Sequence, residues 1–570
     1  MKRILKYLLS NDKSHSELIE NILAGNNLDM LRNMSKMTWL FFYSFLEKLF
    51  RLKKVFITTG LLFSFVASFA QSSDIKVFLY ERAIGKMTAT QEQIMAKEYF
   101  FPERIYLSYI DTISNSITLQ LRGLSQDKKW MNNTGSIVYY GLSDKKVKWS
   151  KKIAYQTNNL QQFGSTIILT GTLRSYRLNN ENGKNLWKTK NIIYVVDPVA
   201  NVGIGYKVEN ALGTNTLEGI DLKNGKTMWQ RELNREYGWN DAFRIKDSVW
   251  MISAAGLHTI NIYNGLGWKF HAVTGEKDYT ATALANMAGI GLGLLTGTFM
   301  IATGYNLVAD IVSNAYMDST QIYFASKEKL TRLDRDNGKI IWDYRLPADW
   351  PSKSTIFANE NYVFLVNYGY AYMGFRQLDY GTPFFAAFNK KNGEQIFFTT
   401  IHLQKNPILD FKIVNDHILL LFKDRIMKCS LIDGSIICEK TIDNEVSGEL
   451  EGFIGNRVYI DATNSTLTNL VLSDISKKYV ITNKNVLIFD VELNIVGEID
   501  MNQLYSARMR IDDYYLIVTK DDKSFILNAN NEKVAEIDIA LKPVLIGNKI
   551  YSIHERSFYE IDLTNLIERK

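Results

Sequence analysis

Residues that could perform chemistry are few in this 570-residue sequence. It contains two cysteines and six histidines, and two of the histidines, His258 and His271, lie 13 residues apart. Imidazoles at this spacing could belong to a metal site, but ordinary histidines of the core or the surface are the simpler interpretation. The sequence has no Gly-x-Ser-x-Gly motif, no complete phosphate-binding loop and no His-Glu-x-x-His motif. We therefore predict no catalytic residue, no metal site and no cofactor.

The two cysteines lie on either side of a predicted turn at Asp433 and Gly434. If that turn is a two-residue loop, Cys429 and Cys438 face each other across a hairpin, close enough for a disulfide in an oxidising compartment. A longer turn would shift the register and separate the two sulfur atoms. The sequence leaves both arrangements open.

A run of 31 residues, 279–309, contains no charged residue. Within it, small residues recur at every fourth position, at Ala285, Gly289, Gly293 and Gly297. On a helix they would form one smooth stripe that allows a second helix to approach closely. The glycines lack the spacing of a dinucleotide-binding loop. We expect an apolar, helical insertion, which packs on the rest of the protein, contacts a membrane surface or associates with another helix.

A second unusual segment, 367–384, is rich in tyrosine and contains one arginine. It lies between predicted strands, which favours a long loop on one face of the fold. Aromatic residues with an arginine are typical of protein-binding surfaces, and the alternative is a loop that fills a central channel. The candidate partner-binding residues are Tyr368, Tyr370, Tyr372, Phe375, Arg376 and Tyr380.

A framework that could position these segments is visible in a repeated phrase. The phrase begins with an aliphatic residue and Asp or Asn. A Gly follows within a few residues, and after it come usually a Lys, two further residues and a Trp, as in 178–187, 220–229 and 333–342. Weaker copies end at 149, 268, 397 and 438, and the first three intervals between terminal positions are 38, 42 and 39 residues. The next interval is 74 residues, which leaves room for the insertion.

Asn-Gly or Asp-Gly between two apolar runs predicts a hairpin turn, because glycine adopts the positive φ that the turn requires. The Trp then lies on a strand and can bury its ring between adjacent sheets. Another β-rich run precedes most copies, so about 40 residues hold four short strands, which is the size of one propeller blade. The predicted docking residues are Trp149, Trp187, Trp229, Trp268, Trp342, Phe397, Gly183, Gly225, Gly338, Gly393 and Gly434.

These features predict an all-β fold, a β-propeller of four-stranded blades with one apolar insertion. We expect eight blades, with seven as the alternative, and a ring closed by an N-terminal strand such as 75–80. A solenoid or a pair of β-sandwiches is the competing interpretation of the same repeat.

The net charge of +7 is concentrated near the N-terminus, where residues 1–70 hold ten basic and five acidic residues. The remainder is close to neutral, so the charge offers no argument for nucleic acid as a partner. A basic cluster at 51–54 precedes an apolar run, 55–70, that ends in Ala-Ser-Phe-Ala. This layout is typical of a secretory signal peptide, with cleavage after Ala70 and a propeller in 71–570.

Residues 1–50 precede this signal, although signal peptides normally begin at the N-terminus. The position favours a translation start at Met34 or Met37. The alternatives are a genuine extension and an uncleaved apolar anchor built from 39–45 and 55–70.

The Gly-Lys-x-x-Trp phrase at 183–187, 225–229 and 338–342 resembles the tryptophan-docking repeat of the quinoprotein-like (PQQ-like) β-propellers. The resemblance is clear over 130–440 and weaker over 440–570. It implies the fold and not an activity, because the phrase is a packing motif. The family has two branches, which are quinone- and calcium-dependent dehydrogenases, and non-enzymatic scaffolds similar to the propeller subunit of the outer-membrane protein assembly machinery.

A dehydrogenase of this family would need calcium ligands and a catalytic Asp beside the quinone. Many such enzymes also resemble one another in a pair of adjacent cysteines, which is missing from this sequence. The leading hypothesis is therefore an exported, non-enzymatic propeller that acts as a protein-interaction scaffold, periplasmic or associated with the cell envelope. A PQQ- and calcium-dependent dehydrogenase and a carbohydrate- or peptide-binding module are the alternatives.

Overall fold

The repeated phrase folds into a turn between two antiparallel strands. In the computed structural model, Gly183, Gly225 and Gly338 have φ values of +66°, +75° and +70°. The amide N–H of Gly225 donates to the C=O of Asp221 at 2.7 Å, four residues earlier. Only glycine adopts this left-handed conformation without strain, which explains its place in the phrase.

The structure describes residues 75–155, 158–209, 212–277, 307–373, 376–401, 406–453, 477–500, 505–511, 514–519, 523–528, 532–538 and 543–564. All of them belong to one compact unit, Ser72–Lys570. The predicted extension 1–50 and signal 51–70 lie outside the described residues.

Four antiparallel sheets of four consecutive strands follow an N-terminal hairpin in the first half of the unit. The hairpin consists of β1 (Phe78–Met87) and β2 (Gln93–Phe100). The four sheets contain β3 (Arg104–Asp111), β4 (Ser116–Leu124), β5 (Met131–Gly141) and β6 (Lys146–Ala154); β7 (Asn158–Phe163), β8 (Thr166–Gly171), β9 (Ser175–Leu178) and β10 (Asn185–Thr189); β11 (Asn191–Asp197), β12 (Val202–Glu209), β13 (Leu212–Asp221) and β14 (Thr227–Glu232); β15 (Asp241–Lys246), β16 (Val249–Ser253), β17 (Gly256–Asn261) and β18 (Lys269–His271).

The middle of the chain adds two more such sheets and one extra sheet, which we call the accessory sheet. The accessory sheet is built from two separate hairpins, β19 (Gly275–Lys277) with β20 (Leu307–Ala309), and β27 (Tyr370–Met373) with β28 (Arg376–Asp379). The two blade-type sheets contain β21 (Tyr316–Met317), β22 (Gln321–Ala325), β23 (Lys329–Asp334) and β24 (Ile340–Arg345); β25 (Ser354–Ala358), β26 (Tyr362–Asn367), β29 (Phe384–Asn389) and β30 (Gln395–Thr400).

The last part of the chain has two more four-stranded sheets and one sheet of nine strands. A single short helix, α1 (Asn444–Ser447), is present among the described residues. The strands are β31 (Asp410–Val414), β32 (His417–Leu421), β33 (Arg425–Ser430) and β34 (Ile436–Thr441); β35 (Leu450–Phe453), β36 (Lys478–Thr482), β37 (Asn485–Phe489) and β38 (Ile495–Asp500); β39 (Tyr505–Ile511), β40 (Tyr514–Thr519), β41 (Lys523–Leu527), β42 (Lys533–Asp538), β43 (Val544–Ile546), β44 (Lys549–His554) and β45 (Ser557–Asp562).

The nine-stranded sheet is where the two ends of the unit meet. Its strand order is β39-β40-β41-β42-β1-β2-β45-β44-β43. Strand β2 pairs antiparallel with β45, with Ala96 opposite Ile561 and Phe100 opposite Ser557. The N-terminal hairpin therefore supplies the missing fourth strand to the set β43–β45, which is how propellers join their first and last sheets.

The predicted all-β propeller fold is confirmed, but the predicted number of eight blades is not. Eight sheets of the blade type contain four strands each, and the nine-stranded sheet holds two further sets of four, β39–β42 and β43–β45 with β2. The described strands thus form ten four-stranded sets. The additional sets lie in the part of the chain where the Gly and Trp of the phrase have been replaced, so the phrase could not count them.

Because neighbouring strands are antiparallel, each sheet of the blade type has two distinct edges. We call the edge with the turns between its first and second and its third and fourth strands the turn face. The connections between second and third strands, and those between successive sheets, lie at the opposite edge, the loop face. Both hairpins of the accessory sheet are inserted into connections of the loop face, one after β18 and one between β26 and β29.

Candidate functional site

The tryptophan of each phrase docks on the following sheet. Trp187 donates its indole N–H to the C=O of Leu222 at 2.8 Å, and its ring lies under the turn at Gly225. A Cβ built on Gly225 would lie 2.6 Å from the ring, so only glycine fits there. The indole donors and their carbonyl acceptors are Trp149 and Asn180, Trp187 and Leu222, Trp229 and Ile262, Trp268 and Arg335, and Trp342 and Lys390, at 2.7 to 3.2 Å.

The same contact repeats along the chain, with one ring replaced. Gly183, Gly265, Gly338 and Gly393 cover the rings of Trp149, Trp229, Trp268 and Trp342, and Gly434 covers Phe397. Phe397 has no N–H to donate, and Thr399 instead donates its hydroxyl to the C=O of Gly434 at 2.7 Å. These residues hold adjacent sheets together and are part of the architecture.

The two cysteines are not opposite each other. The register of β33 and β34 places Cys438 opposite Lys428 and Cys429 opposite Ile436, and both thiols are free. A β-bulge between Lys428 and Cys429 adds one residue, as it does at the ring positions of the other repeats. The two-residue turn that would have paired the cysteines is therefore wrong for this hairpin.

The two neighbouring histidines contact each other edge to face at 5.7 Å between ring centroids. His258 is 1% exposed, and its Nε2 lies 2.9 Å from the C=O of Ala254. Burial lowers the pKa of His258 to about 3. Within the described parts of the chain, no group of three His, Cys, Asp or Glu side chains could hold a metal ion.

The accessory sheet joins the two segments that the blade pattern leaves unused. Strands β19 and β20, at the two ends of the apolar insertion, pair antiparallel with Gly275 opposite Ala309 and Lys277 opposite Leu307. Strand β20 then pairs with β27, with Ala309 opposite Tyr372. The predicted aromatic loop is in fact a hairpin of β27 and β28. The sequence did not predict this contact, because the pairs are formed by residues about 65 positions apart.

Three tyrosine side chains form a row that we call the tyrosine ladder: Tyr370 and Tyr372 of β27, and Tyr368, which lies just before that strand. The first two rings stack at 5.5 Å between centroids, and the last two meet edge to face at 5.7 Å. All three side chains are half-buried. Tyr368 is fixed to the first strand of a neighbouring sheet, because its hydroxyl lies 2.8 Å from that of Thr355. Burial raises the pKa of Tyr370 above its usual range.

The exposed Arg376 does not join the tyrosine ladder. It lies opposite Met373 in the register of β27 and β28, whereas Tyr372 lies opposite Gln377. Since alternate residues of a strand project from opposite faces, Arg376 and Tyr372 are on different sides of the accessory sheet. Phe375, which the sequence grouped with them, lies outside the described residues.

An ion pair lies at the end of the tyrosine ladder. Lys353 forms a salt bridge with Asp310, which is 4% exposed, and its ammonium group lies 5.7 Å from the centroid of Tyr372. Asn240 donates its side-chain N–H to Asp310 at 3.1 Å. Asp310 is the first charged residue after the uncharged run. That position was the only sequence signal for this ion pair, because Lys353 and Asn240 lie far from it in the chain.

The other side of the accessory sheet is also anchored. Tyr380 donates its hydroxyl to Glu276 at 2.7 Å, and Lys327 forms a salt bridge with the same carboxylate. Burial raises the pKa of Tyr380, and the hydrogen bond to Glu276 adds to this effect. A buried cluster of Val308, Ile311 and Ala371 lies beneath this side. These contacts fix the accessory sheet on the loop face, so Tyr380 is a structural residue of the site.

Ala285, Gly289, Gly293 and Gly297 lie outside the described residues, as does 278–306 as a whole. Among the residues that the structure does describe, no helix is long and apolar enough to span a membrane.

The family comparison matches the docking repeat. Residues 131–344 match the family model described as outer membrane protein assembly factor BamB. This segment runs from β5 to β24 and contains all five docking tryptophans and the glycine turns that cover four of them. The chain carries a PQQ-like repeat propeller of the BamB-like branch. The PQQ-like repeat thus includes the sheets on both sides of the apolar insertion.

Several solved structures resemble the PQQ-like propeller at low identity. BamB from Moraxella catarrhalis is 12% identical, with 71% of this chain and 95% of that chain covered and a TM-score of 0.27. The C-terminal WD40 domain of Sif2 is 11% identical over 71% of this chain and 95% of that chain, with a TM-score of 0.29. The β-propeller domain of Cps50 (Swd1) from Myceliophteria thermophila is 7% identical over 68% and 98%, with a TM-score of 0.26. A comparison with curated proteins gave no match.

Proposed function

We propose that this protein is an exported, non-enzymatic scaffold of the cell envelope that binds a protein partner on the loop face, through the accessory sheet. One observation carries the proposal: the strands at the ends of the apolar insertion and the strand of the tyrosine ladder pair in one sheet. The blade pattern does not require this sheet. The docking residues, by contrast, are used in holding sheets together.

The chemistry of the tyrosine ladder suits a protein partner. Half-buried tyrosine rings offer a large apolar area together with a hydroxyl group, at a low cost in conformational entropy. The ladder is also held rigidly, through Thr355 at one end and the ion pair of Lys353 and Asp310 at the other. A rigid aromatic surface loses little entropy when it binds, which favours affinity.

The proposed location rests on the sequence and on the family comparison. The layout of 51–70 is that of a secretory signal, and the matched family model is that of an outer-membrane assembly factor. The absence of adjacent cysteines from the sequence favours the scaffold over the quinone-dependent dehydrogenases.

Capture of the partner from the native envelope tests the loop face. We expect Tyr372→Ala to reduce capture strongly, because it removes the ring at the ladder's end. Arg376→Ala examines the other side of the accessory sheet. The matched control is Tyr263→Ala, since Tyr263 is 53% exposed and lies in the turn after β17, on the turn face. Equal capture by all three variants, each with an unchanged circular dichroism spectrum, would refute the proposed surface.

We propose that the apolar insertion, 279–309, provides a second contact with the envelope. Lys277 is paired with Leu307 in the antiparallel strands β19 and β20, which lie at the two ends of the insertion. A short Asn-Gly turn can therefore replace 279–305 without disturbing either strand. We expect the shortened protein to fold and to lose association with envelope membranes in fractionation. Unchanged association would leave the insertion a packing role only.

A further inference from the structure

The hairpin of β4 and β5 extends past the rest of its sheet on the loop face. On one side, β3 begins at Arg104, which lies opposite Arg122 of β4. On the other side, β6 ends at Ala154, which lies opposite Thr134 of β5. Residues 123–133 therefore have no described strand beside them, and we call them the hairpin tip. At about 3.3 Å per residue, the hairpin tip projects roughly 10 Å beyond the flanking strands.

Hydrogen bonds fix the backbone of the hairpin tip. Ser125 donates its N–H to the C=O of Trp130 at 2.7 Å, and Trp130 donates its own N–H to the hydroxyl of Ser125 at 3.1 Å. The carboxylate of Asp127 accepts the hydroxyl of Ser125 and the backbone N–H of Lys129, the latter at 3.2 Å. The hairpin tip is thus a rigid projection, and its one carboxylate is engaged within it.

Two apolar side chains of the hairpin tip face water. Trp130 is 74% exposed and Leu124 is 41% exposed. Every other tryptophan that the structure describes is buried or half-buried. Because the backbone around Trp130 is already fixed, little entropy is lost when its ring meets another surface. Removing both side chains from water would then favour binding.

The charge of the hairpin tip is basic on balance. Lys128 and Lys129 are exposed, and neither ammonium group forms a salt bridge with a described residue. Asp127 is the only acidic residue in 123–133, and its carboxylate already accepts two hydrogen bonds. The two ammonium groups therefore accompany the exposed indole of Trp130 on the same projection.

We infer that the hairpin tip docks on an anionic lipid surface, with the Trp130 ring among the headgroups and the two lysines on the lipid phosphates. An indole combines an apolar body with an N–H donor, and tryptophans are enriched where a membrane meets water. Each lysine near an anionic membrane surface strengthens binding about fivefold. A projecting tip suits a lipid surface, whereas a protein hot spot needs a surrounding rim that excludes water.

The inference goes beyond the proposed function, because the ligand is lipid and the hairpin tip belongs to a different sheet from the tyrosine ladder. The two ends of the apolar insertion lie on the same loop face as the hairpin tip. The hairpin tip is nevertheless separable from the insertion, since replacement of 279–305 leaves β4 and β5 unaltered.

Flotation with lipid vesicles tests the inference on residues 71–570. The anionic vesicles contain equal parts of phosphatidylglycerol and phosphatidylcholine, and vesicles of phosphatidylcholine alone are the neutral comparison. We expect Trp130→Ala to weaken binding to the anionic vesicles about fivefold. The pair Lys128→Glu and Lys129→Glu should weaken it about tenfold or more. Both losses should persist when an Asn-Gly turn replaces 279–305.

The turn between β5 and β6, on the turn face of the same sheet, supplies the matched control. Lys145 and Lys146 are exposed there, and Lys145 has φ +55°, close to the φ of +56° at Lys128. The pair Lys145→Glu and Lys146→Glu makes the same change in net charge and should leave vesicle binding unchanged. Ile113→Ala is the apolar control, since Ile113 is 91% exposed in the turn between β3 and β4.

Equal binding of the unaltered protein to anionic and neutral vesicles, or equal losses in the tip variants and their controls, would overturn the inference. Trp130→Ala should leave the unfolding temperature unchanged, because the ring is exposed. A lowered temperature would show that the ring supports the fold and would also overturn the inference. If Trp130→Ala reduces capture of an envelope protein but not vesicle binding, the hairpin tip binds protein and the inference fails.

Discussion

Replacement of Gly225 by alanine tests the docking contact quantitatively. Two separate costs arise from the structure. The residue has φ +75°, a conformation that costs a residue with a Cβ about 1–2 kcal/mol. The new Cβ would also lie 2.6 Å from the ring of Trp187, and overpacking of this kind costs about 1–3 kcal/mol. We therefore expect Gly225→Ala to lower the free energy of unfolding by about 2–5 kcal/mol.

Gly164 provides a matched control. It also has a positive φ, +53°, but a Cβ there would meet nothing within 4 Å. Gly164→Ala should cost only the conformational part, about 1–2 kcal/mol. Urea unfolding of residues 71–570, followed by tryptophan fluorescence and circular dichroism, measures both variants. Equal destabilisation would refute the claim that the ring occupies the space beneath the Gly225 turn.

A double-mutant cycle makes the test independent of the control. Trp187→Ala removes the ring, so in that background Gly225→Ala should lose its overlap cost and retain the conformational one of about 1–2 kcal/mol. If Gly225→Ala costs the same with and without the Trp187 ring, the two residues do not interact and the docking account is wrong.

Three further predictions concern single residues. The buried His258 has a pKa of about 3, whereas unfolded histidines protonate near pH 6.5. The free energy of unfolding should therefore fall by up to about 1.4 kcal/mol for each pH unit as the pH falls from 6.5 towards 3. His258→Gln should reduce this pH dependence of the urea midpoint, and an unchanged dependence would contradict the assignment. Alkylation of the native protein, read by mass spectrometry, should modify the half-buried Cys438. It should spare Cys429, because burial raises the pKa of that thiol to about 12. A disulfide or equal labelling would argue against two free cysteines. Trp229→Phe should cost about 1–3 kcal/mol, because it leaves the C=O of Ile262 without its donor; a neutral effect on the urea midpoint would show that the hydrogen bond contributes nothing.

The blades could be predicted because their chemistry is local. A glycine turn and a tryptophan four residues later define one hairpin, and the same pair at 183–187, 225–229 and 338–342 defines its repetition. The ring closure was anticipated only in outline, since the strand that pairs with β45 is β2, and the contact joins residues more than 450 positions apart. Pairings of that range leave no periodic signal in a single sequence.

The accessory sheet could not be predicted for the same reason. Its strands have three or four residues each, too short for a pattern of alternation to be recognised, and they come from three separate places in the chain. Composition identifies the tyrosines at 368, 370 and 372, but the segment predicted as a loop contains the hairpin of β27 and β28. The sequence left two arrangements of the cysteines open, and the structure has the one with the longer turn, because a β-bulge between Lys428 and Cys429 shifts the register by one residue.

The central claim is that a partner protein binds the loop face through the accessory sheet. Site-specific photo-crosslinking in the native envelope tests it most directly, with the photoreactive residue placed at Tyr372 in one strain and at Tyr263, on the turn face, in another. The account predicts one discrete crosslinked partner from Tyr372, identified by mass spectrometry, and none from Tyr263. The same product from both positions, or no product from Tyr372, would contradict it.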